Sequence, residues 1–122
     1  MEIKEGYEYT CNLVVHMGLL GKRNVEAIID VDAPTSFHGR GHMMGKPINF
    51  AGMKIDESSY MYFENGAIEG NTFTFEITGK GLTAKFVVQV ADNGSITGKA
   101  NAGGILNIKL TGNIAGVAPL SK

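Results

Sequence analysis

Apolar and polar residues alternate along most of this chain with a period of two. Apolar side chains fall at Leu13, Val15, Met17 and Leu19, then at Val25, Ala27, Ile29 and Val31, with Asn12, His16, Asn24, Glu26 and Asp30 among the intervening positions. The pattern resumes at Phe37 and Met43, at Ile48 and Phe50, at Phe73, Phe75 and Ile77, from Leu82 through Ala84, Phe86 and Val88 to Val90, and at Ile96, Ile108 and Leu110. Successive side chains of a strand point to opposite faces, so the period predicts half-buried strands with one wet and one dry face. No stretch of a dozen residues has apolar spacing of three and four without an internal glycine, and no long helix is expected. A single turn of helix has one candidate place, Lys54 to Ser59.

The chain also resembles itself. Gly21-Lys22 corresponds to Gly79-Lys80, Ile29-Asp30-Val31 to Val88-Gln89-Val90, Phe37-His38-Gly39-Arg40 to Ile96-Thr97-Gly98-Lys99, and Ile48-Asn49-Phe50-Ala51-Gly52 to Ile108-Lys109-Leu110-Thr111-Gly112, at offsets drifting from 58 to 60. A repeat of this length predicts two similar halves, 9–53 and 71–113, within one domain spanning 1–122. Four strands are expected in the first half: Tyr9 to Leu19, Asn24 to Asp32, Ser36 to Met43 and Pro47 to Met53. Their counterparts are Asn71 to Thr78, Leu82 to Ala91, Ser95 to Ala102 and Ile105 to Asn113. Tyr60 to Gly66 is left as an extra strand or a crossover, and the tail beyond Gly116 is expected to fray.

Turn residues fall where hairpins need them. Ala91-Asp92-Asn93-Gly94-Ser95 offers glycine at a left-handed position, Glu69-Gly70-Asn71 is a second turn, and Ala33-Pro34-Thr35 places proline where a central strand is excluded. Eight half-buried strands with no helices to cover them must close into a barrel or pack as a sandwich, and an eight-stranded barrel has room for side chains or one small ligand. The predicted fold is an all-β, eight-stranded antiparallel up-and-down barrel, with a β-sandwich as the alternative. Seventeen glycines against three prolines agree with short strands and tight turns. Gly39, Gly41 and Gly98 lie on the dry face, where missing side chains either permit bending or leave a cavity.

In this architecture, with turns such as Asp92-Asn93-Gly94 and an apolar interior, the chain resembles the calycin group of small barrels, which includes lipocalins, avidins and fatty-acid binders. The resemblance implies a binding interior. Gly6-Tyr7-Glu8 stands where lipocalins have glycine, any residue and tryptophan, and the chain has no tryptophan, so no functional residue carries over.

Charge narrows the partners. Eleven basic residues against twelve acids give a formal charge of −1, which offers no general attraction for phosphate backbones, and nucleic acid is not expected. No run approaches the ~20 apolar residues that span a bilayer, so no membrane partner is expected. One cysteine, Cys11, excludes an internal disulfide, and the opening residues lack a secretory leader, so a cytoplasmic location is expected. No cofactor is implied.

The three histidines, His16, His38 and His42, fall on the wet face. With Val31 opposite Phe37, Asp30 faces His38, Ile28 faces Arg40 and Glu26 faces His42, whereas the second half offers Gln89 with Thr97, Val87 with Lys99 and Lys85 with Asn101. His38 and His42 stand about 13 Å apart along a regular strand, too far to share one metal ion, and no metal site is expected. Acid and histidine pairs serve as general acid and base or as plain surface charge pairs.

The leading functional expectation is a module that binds a small apolar or aromatic molecule, because the dry face lacks any acid, lysine or arginine. Its expected lining is Met17, Ile29, Phe37, Met43, Phe50, Phe73, Phe75 and Phe86. The alternative is a barrel cyclase, isomerase or lyase with proton carriers among His38, His42, Glu26, Asp30, Tyr7 and Tyr9. A structural or interaction subunit is the third class, supported if the barrel is packed solid and an aromatic patch near Tyr60 and Tyr62 is exposed. The one candidate protein partner is a second copy of the chain, as a homodimer.

Overall fold

In the computed structural model, which describes residues 2–50 and 52–120, the alternating segments become ten strands. They are β1 (Tyr7–His16), β2 (Lys22–Ala33), β3 (Ser36–Met44), β4 (Ile48–Phe50), β5 (Met53–Ile55), β6 (Tyr60–Glu69), β7 (Thr72–Gly79), β8 (Leu82–Val90), β9 (Ser95–Ala102) and β10 (Leu106–Pro119). Eight of them close an antiparallel up-and-down barrel in the order β1-β2-β3-β6-β7-β8-β9-β10, and β10 returns to pair with β1. Closure pairs most of the strand edges that an open sheet would leave bare, which is why so small a chain needs no covering helices.

The register of the β2–β3 hairpin is the one read from the repeat. Val31 pairs with Phe37, Asp30 with His38, Ile28 with Arg40 and Glu26 with His42, and β8 pairs with β9 in the equivalent way. The turns also fall as expected. Gly94 has φ 86° and donates its N–H to Ala91 O at 2.9 Å, and Gly70 has φ 62°.

The structure departs from the sequence reading in four places. The wall position expected for Pro47 to Met53 is taken by β6; that segment contributes only β4 and the start of β5, a hairpin outside the barrel. Gly45 and Gly52, at φ 102° and 78°, turn the chain there, and Ile48 and Phe50 face the barrel mouth instead of its wall. Ala51 of that segment, with Met1, Ser121 and Lys122 of the expected domain, lies outside the described residues. Leu19 is fully exposed, because β1 ends at His16 and a 3-10 turn at Gly18–Leu20 breaks the alternation; Leu20 packs inward in its place. That turn is the short helical piece, while Asp56 to Ser59 forms a hydrogen-bonded turn without helix. The tail does not fray at Gly116: β10 continues to Pro119, which pairs with Tyr7.

Inner-face glycines let strands and rings close in, and Gly41 also borders open interior space. A Cβ added at Gly39 would strike the Ile28 carbonyl oxygen and come within 3.0 Å of the Phe63 ring, and at Gly41 it would meet the same ring at 3.3 Å. Phe63 lies across both glycines. Among the described residues no helix is long and apolar enough to cross a membrane.

Candidate functional site

A floor of aromatic rings divides the barrel interior into unequal parts. Phe63 and Phe75 have ring centroids 4.4 Å apart, and Phe75 and Phe86 lie nearly parallel at 4.8 Å. On one side of this floor, towards the 33–35, 70–71 and 91–95 turns, Phe37, Phe73, Val31, Val90 and Ile96 pack closely, with Ile3 closing that end. Phe37 and Phe73 are tilted at 5.4 Å. Only a void of about 40 Å³ remains there, bordered by Tyr9, Cys11, Ile29 and Phe73 among others.

On the other side lies a cavity of about 480 Å³. Its walls are aliphatic, thioether and aromatic: Leu13, Val15, Met17, Val25, Met43, Phe75, Ile77, Ala84, Phe86, Ala102 and Ile108. That volume is roughly three times a ~150 Å³ cavity able to hold benzene and falls within the ~300–1,000 Å³ of small-molecule sites. Small side chains at Ala84 and Ala102, which are paired across β8 and β9, leave this half open where Phe and Ile fill the other.

The β4–β5 hairpin covers the mouth. Ile48 is buried against Val25 and Met43, with Phe50 and Ile55 beside it. Two polar contacts hold this lid: Arg23 Nε donates to Lys46 O at 2.8 Å, and Gly45 N donates to Glu57 Oε1 at 3.1 Å. Arg23 Nη1 also donates to Lys22 O at 2.8 Å within its own strand, which fixes the guanidinium. At the hairpin's far side Met53 lies against Gly79, where an added Cβ would sit 2.6 Å from the sulfur. The following turn is tied by Asp56 Oδ1, which accepts from Ser58 N at 3.0 Å and Ser58 Oγ at 2.6 Å. Those bonds favour the carboxylate and hold Asp56 below its ordinary pKa.

A seam opens the wall beside the lid. From Tyr60 to Phe63, β6 pairs with β3, but its register with β7 begins only at Glu64 opposite Glu76. Tyr60, Met61 and Tyr62 therefore face Ile77, Thr78 and Gly79 across an unpaired stretch, and all six border the cavity. Tyr60 and Tyr62 point outward and are 54% and 65% exposed, so the cavity reaches the surface along this seam.

Of the eight expected lining residues, Met17, Met43, Phe50, Phe75 and Phe86 border the larger cavity. Ile29 and Phe73 border only the small void, and Phe37 lies in the packed half. Alternation identifies the inner face but not the depth at which packing stops. The expectation of an uncharged interior needs correction, because Arg23 and Glu64 both border the cavity. Arg23 is two residues before Val25 and so shares its inward phase at the strand end; Glu64 sits beside the irregularity in the β6–β7 ladder. The inward phase of Arg23 was legible, whereas the position of Glu64 depends on that irregularity.

None of the six residues expected as proton carriers borders the larger cavity. Tyr9 is buried at the packed end, where its hydroxyl accepts from Lys4 N at 2.9 Å, and Tyr7 is part-exposed on the wall. His38 stands outside between two carboxylates, its Nδ1 at 2.7 Å from Asp32 Oδ2 and its Nε2 at 3.2 Å from Asp30 Oδ2. The hydrogen bond to Asp32 and both negative charges favour the imidazolium, raising the His38 pKa. Asp32 joins because the β2–β3 ladder slips between Val31 and Ala33, an irregularity that alternation does not reveal. His42 stacks on Tyr60 at 5.4 Å, with Glu26 Oε1 3.7 Å from its Nε2, and both ring nitrogens are buried without a hydrogen bond. His16 is exposed. Cys11 is buried, and burial pushes its thiol up to about 12. Among the described residues, no group of three or more histidine, cysteine, aspartate or glutamate side chains is arranged to hold a metal ion.

Comparison with protein-family models, with curated proteins and with solved structures finds no significant match to this chain.

Proposed function

We propose that this protein is a non-catalytic binder that encloses one small apolar or aromatic molecule in the lidded half of its barrel. The observation that carries the reading is the 480 Å³ cavity walled by aliphatic, methionine and phenylalanine side chains. Burial of apolar ligand surface against such walls contributes about 25 cal/mol per Å² before the costs of association, and methionines at 17, 43 and 53 let the lining adapt to shape. The acid and histidine pairs expected as proton carriers stand on the opposite face of the wall, so a barrel cyclase or lyase would have to work through Glu64, Tyr60 or Tyr62, which border the cavity along its seam. The buried free thiol of Cys11 suits a reducing, cytoplasmic compartment.

Native mass spectrometry of protein purified without denaturation, together with thermal shift against panels of lipids, phenolics and steroids, tests the proposal. Expected are a retained compound of a few hundred daltons or a rise in Tm with at least one class. Neither a retained compound nor any shift across all three classes would overturn it.

A further inference from the structure

Charge is distributed unevenly between the two ends of the barrel. At the lidded end, Lys22, Arg23, Lys46, Lys54 and Lys80 stand on strand ends, hairpin and turns against Asp56 and Glu57, with Glu64 farther along the seam at the cavity border. At the packed end the balance reverses, with Glu2, Glu5, Glu8, Asp30, Asp32, Glu69 and Asp92 against Lys4. A net charge of −1 conceals this polarity.

The same lidded end presents aliphatic side chains to water. Leu19 stands fully exposed on the Gly18–Leu20 turn, which packs beside the start of β10, and Ile105 is 71% exposed on the turn that leads into that strand. Both sit on glycine-bent tips: Gly18 and Gly21 flank the first, and Gly103 and Gly104, at φ 60° and 75°, precede the second. Removing either side chain from water requires a partner that admits a projecting point. An acyl-chain layer does so; a flat protein surface does not.

We infer that the lidded end docks on an anionic lipid surface, with Leu19 and Ile105 entering the interface and Lys22, Lys46, Lys54 and Lys80 facing the headgroups. The barrel does not span the bilayer in this arrangement, since its wall is charged outside and apolar inside, the reverse of a membrane-spanning barrel. The acidic end faces away. Docking places the seam and lid within reach of the bilayer, but it rests on the outer surface alone and holds whether or not the cavity takes a ligand.

Co-sedimentation with vesicles of phosphatidylcholine, and of phosphatidylcholine mixed with phosphatidylserine, tests the inference with the whole chain and no cavity ligand. The protein should pellet with the mixed vesicles at low salt, leave them at high salt, and ignore phosphatidylcholine alone. K46E/K80E should lower partitioning by about fivefold or more for each lysine changed. L19E/I105E should lower it about tenfold or more. A Glu69→Gln control at the acidic end should leave it unchanged, and far-ultraviolet circular dichroism should report each variant folded, because every substituted side chain is exposed. No pelleting with mixed vesicles would overturn the inference and turn the basic rim towards an acidic protein partner. Equal pelleting with both lipids, or pelleting undiminished in L19E/I105E, would also overturn it.

Discussion

Replacing Ala102 by leucine puts the cavity itself to the test, because the sign of the stability change depends on whether space exists. Ala102 is buried on the inner face of β9, borders the cavity, and pairs with Ala84 on one side and Leu106 on the other. Leucine adds three carbons, each contributing about 0.8 kcal/mol when fully buried, for an upper limit of ~2.4 kcal/mol. The cavity walls surround the new atoms only in part, so a gain of about 1 kcal/mol is expected. For a domain of this length that raises Tm by roughly 4 °C. In a filled interior the same change would force side chains off their rotamers and destabilise by about 1–3 kcal/mol. Ala100 supplies the internal control: it is buried two residues earlier on β9, opposite Phe86 and Ile108, and borders neither the cavity nor the small void. Ala100→Leu should therefore destabilise. Urea denaturation followed by circular dichroism measures both, and displacement of an anilinonaphthalene sulfonate probe should weaken in A102L alone. Equal destabilisation by A102L and A100L would refute the cavity.

The outer polar pairs should prove dispensable for the interior: H38Q/H42Q should change stability by no more than about 1 kcal/mol in denaturation and leave probe binding intact. The His38 contribution has a defined pH window. Its pKa is raised by Asp32 and Asp30, so its stabilisation is fully present below the unfolded value of ~6.5 and lost as pH rises through the higher folded value. Wild type should exceed H38Q in urea stability by at most about 1 kcal/mol near pH 6, and the difference should vanish at alkaline pH. Cys11, raised to about 12 by burial, should resist a disulfide exchange reagent at pH 8 in the folded protein and react at once in denaturant; a fast native reaction would place the thiol elsewhere. Gly39→Ala should cost about 1–3 kcal/mol in thermal or urea denaturation, since the new methyl meets the Ile28 carbonyl and the Phe63 ring.

Sequence alone narrowed the fold to an antiparallel barrel or a sandwich and determined the pairing of β2 with β3, because a period of two fixes which side chains share a face and turn residues fix where strands reverse; closure itself is shown by the structure. Matching the repeat then placed Asp30 opposite His38 and Glu26 opposite His42 without any knowledge of closure. The fourth wall strand was not legible in the same way. Ile48 and Phe50 alternate as well as Met61 and Phe63 do, and periodicity cannot distinguish a strand that builds the wall from a hairpin that covers its mouth. That choice depends on which segment reaches β3 once the barrel closes. Depth along the barrel is likewise tertiary: Phe37, Phe73 and Phe75 look equivalent in sequence, yet Phe75 stacks on Phe86 and meets the tilted ring of Phe63 to form the floor, and Phe37 and Phe73 disappear beneath it. The cavity exists because Ala84 and Ala102, from different strands, meet at one level while the lid adds its own apolar face above them. Alternation records the side of a sheet on which a residue lies; only closure decides which residues from distant strands share a height, and the space between them follows from that.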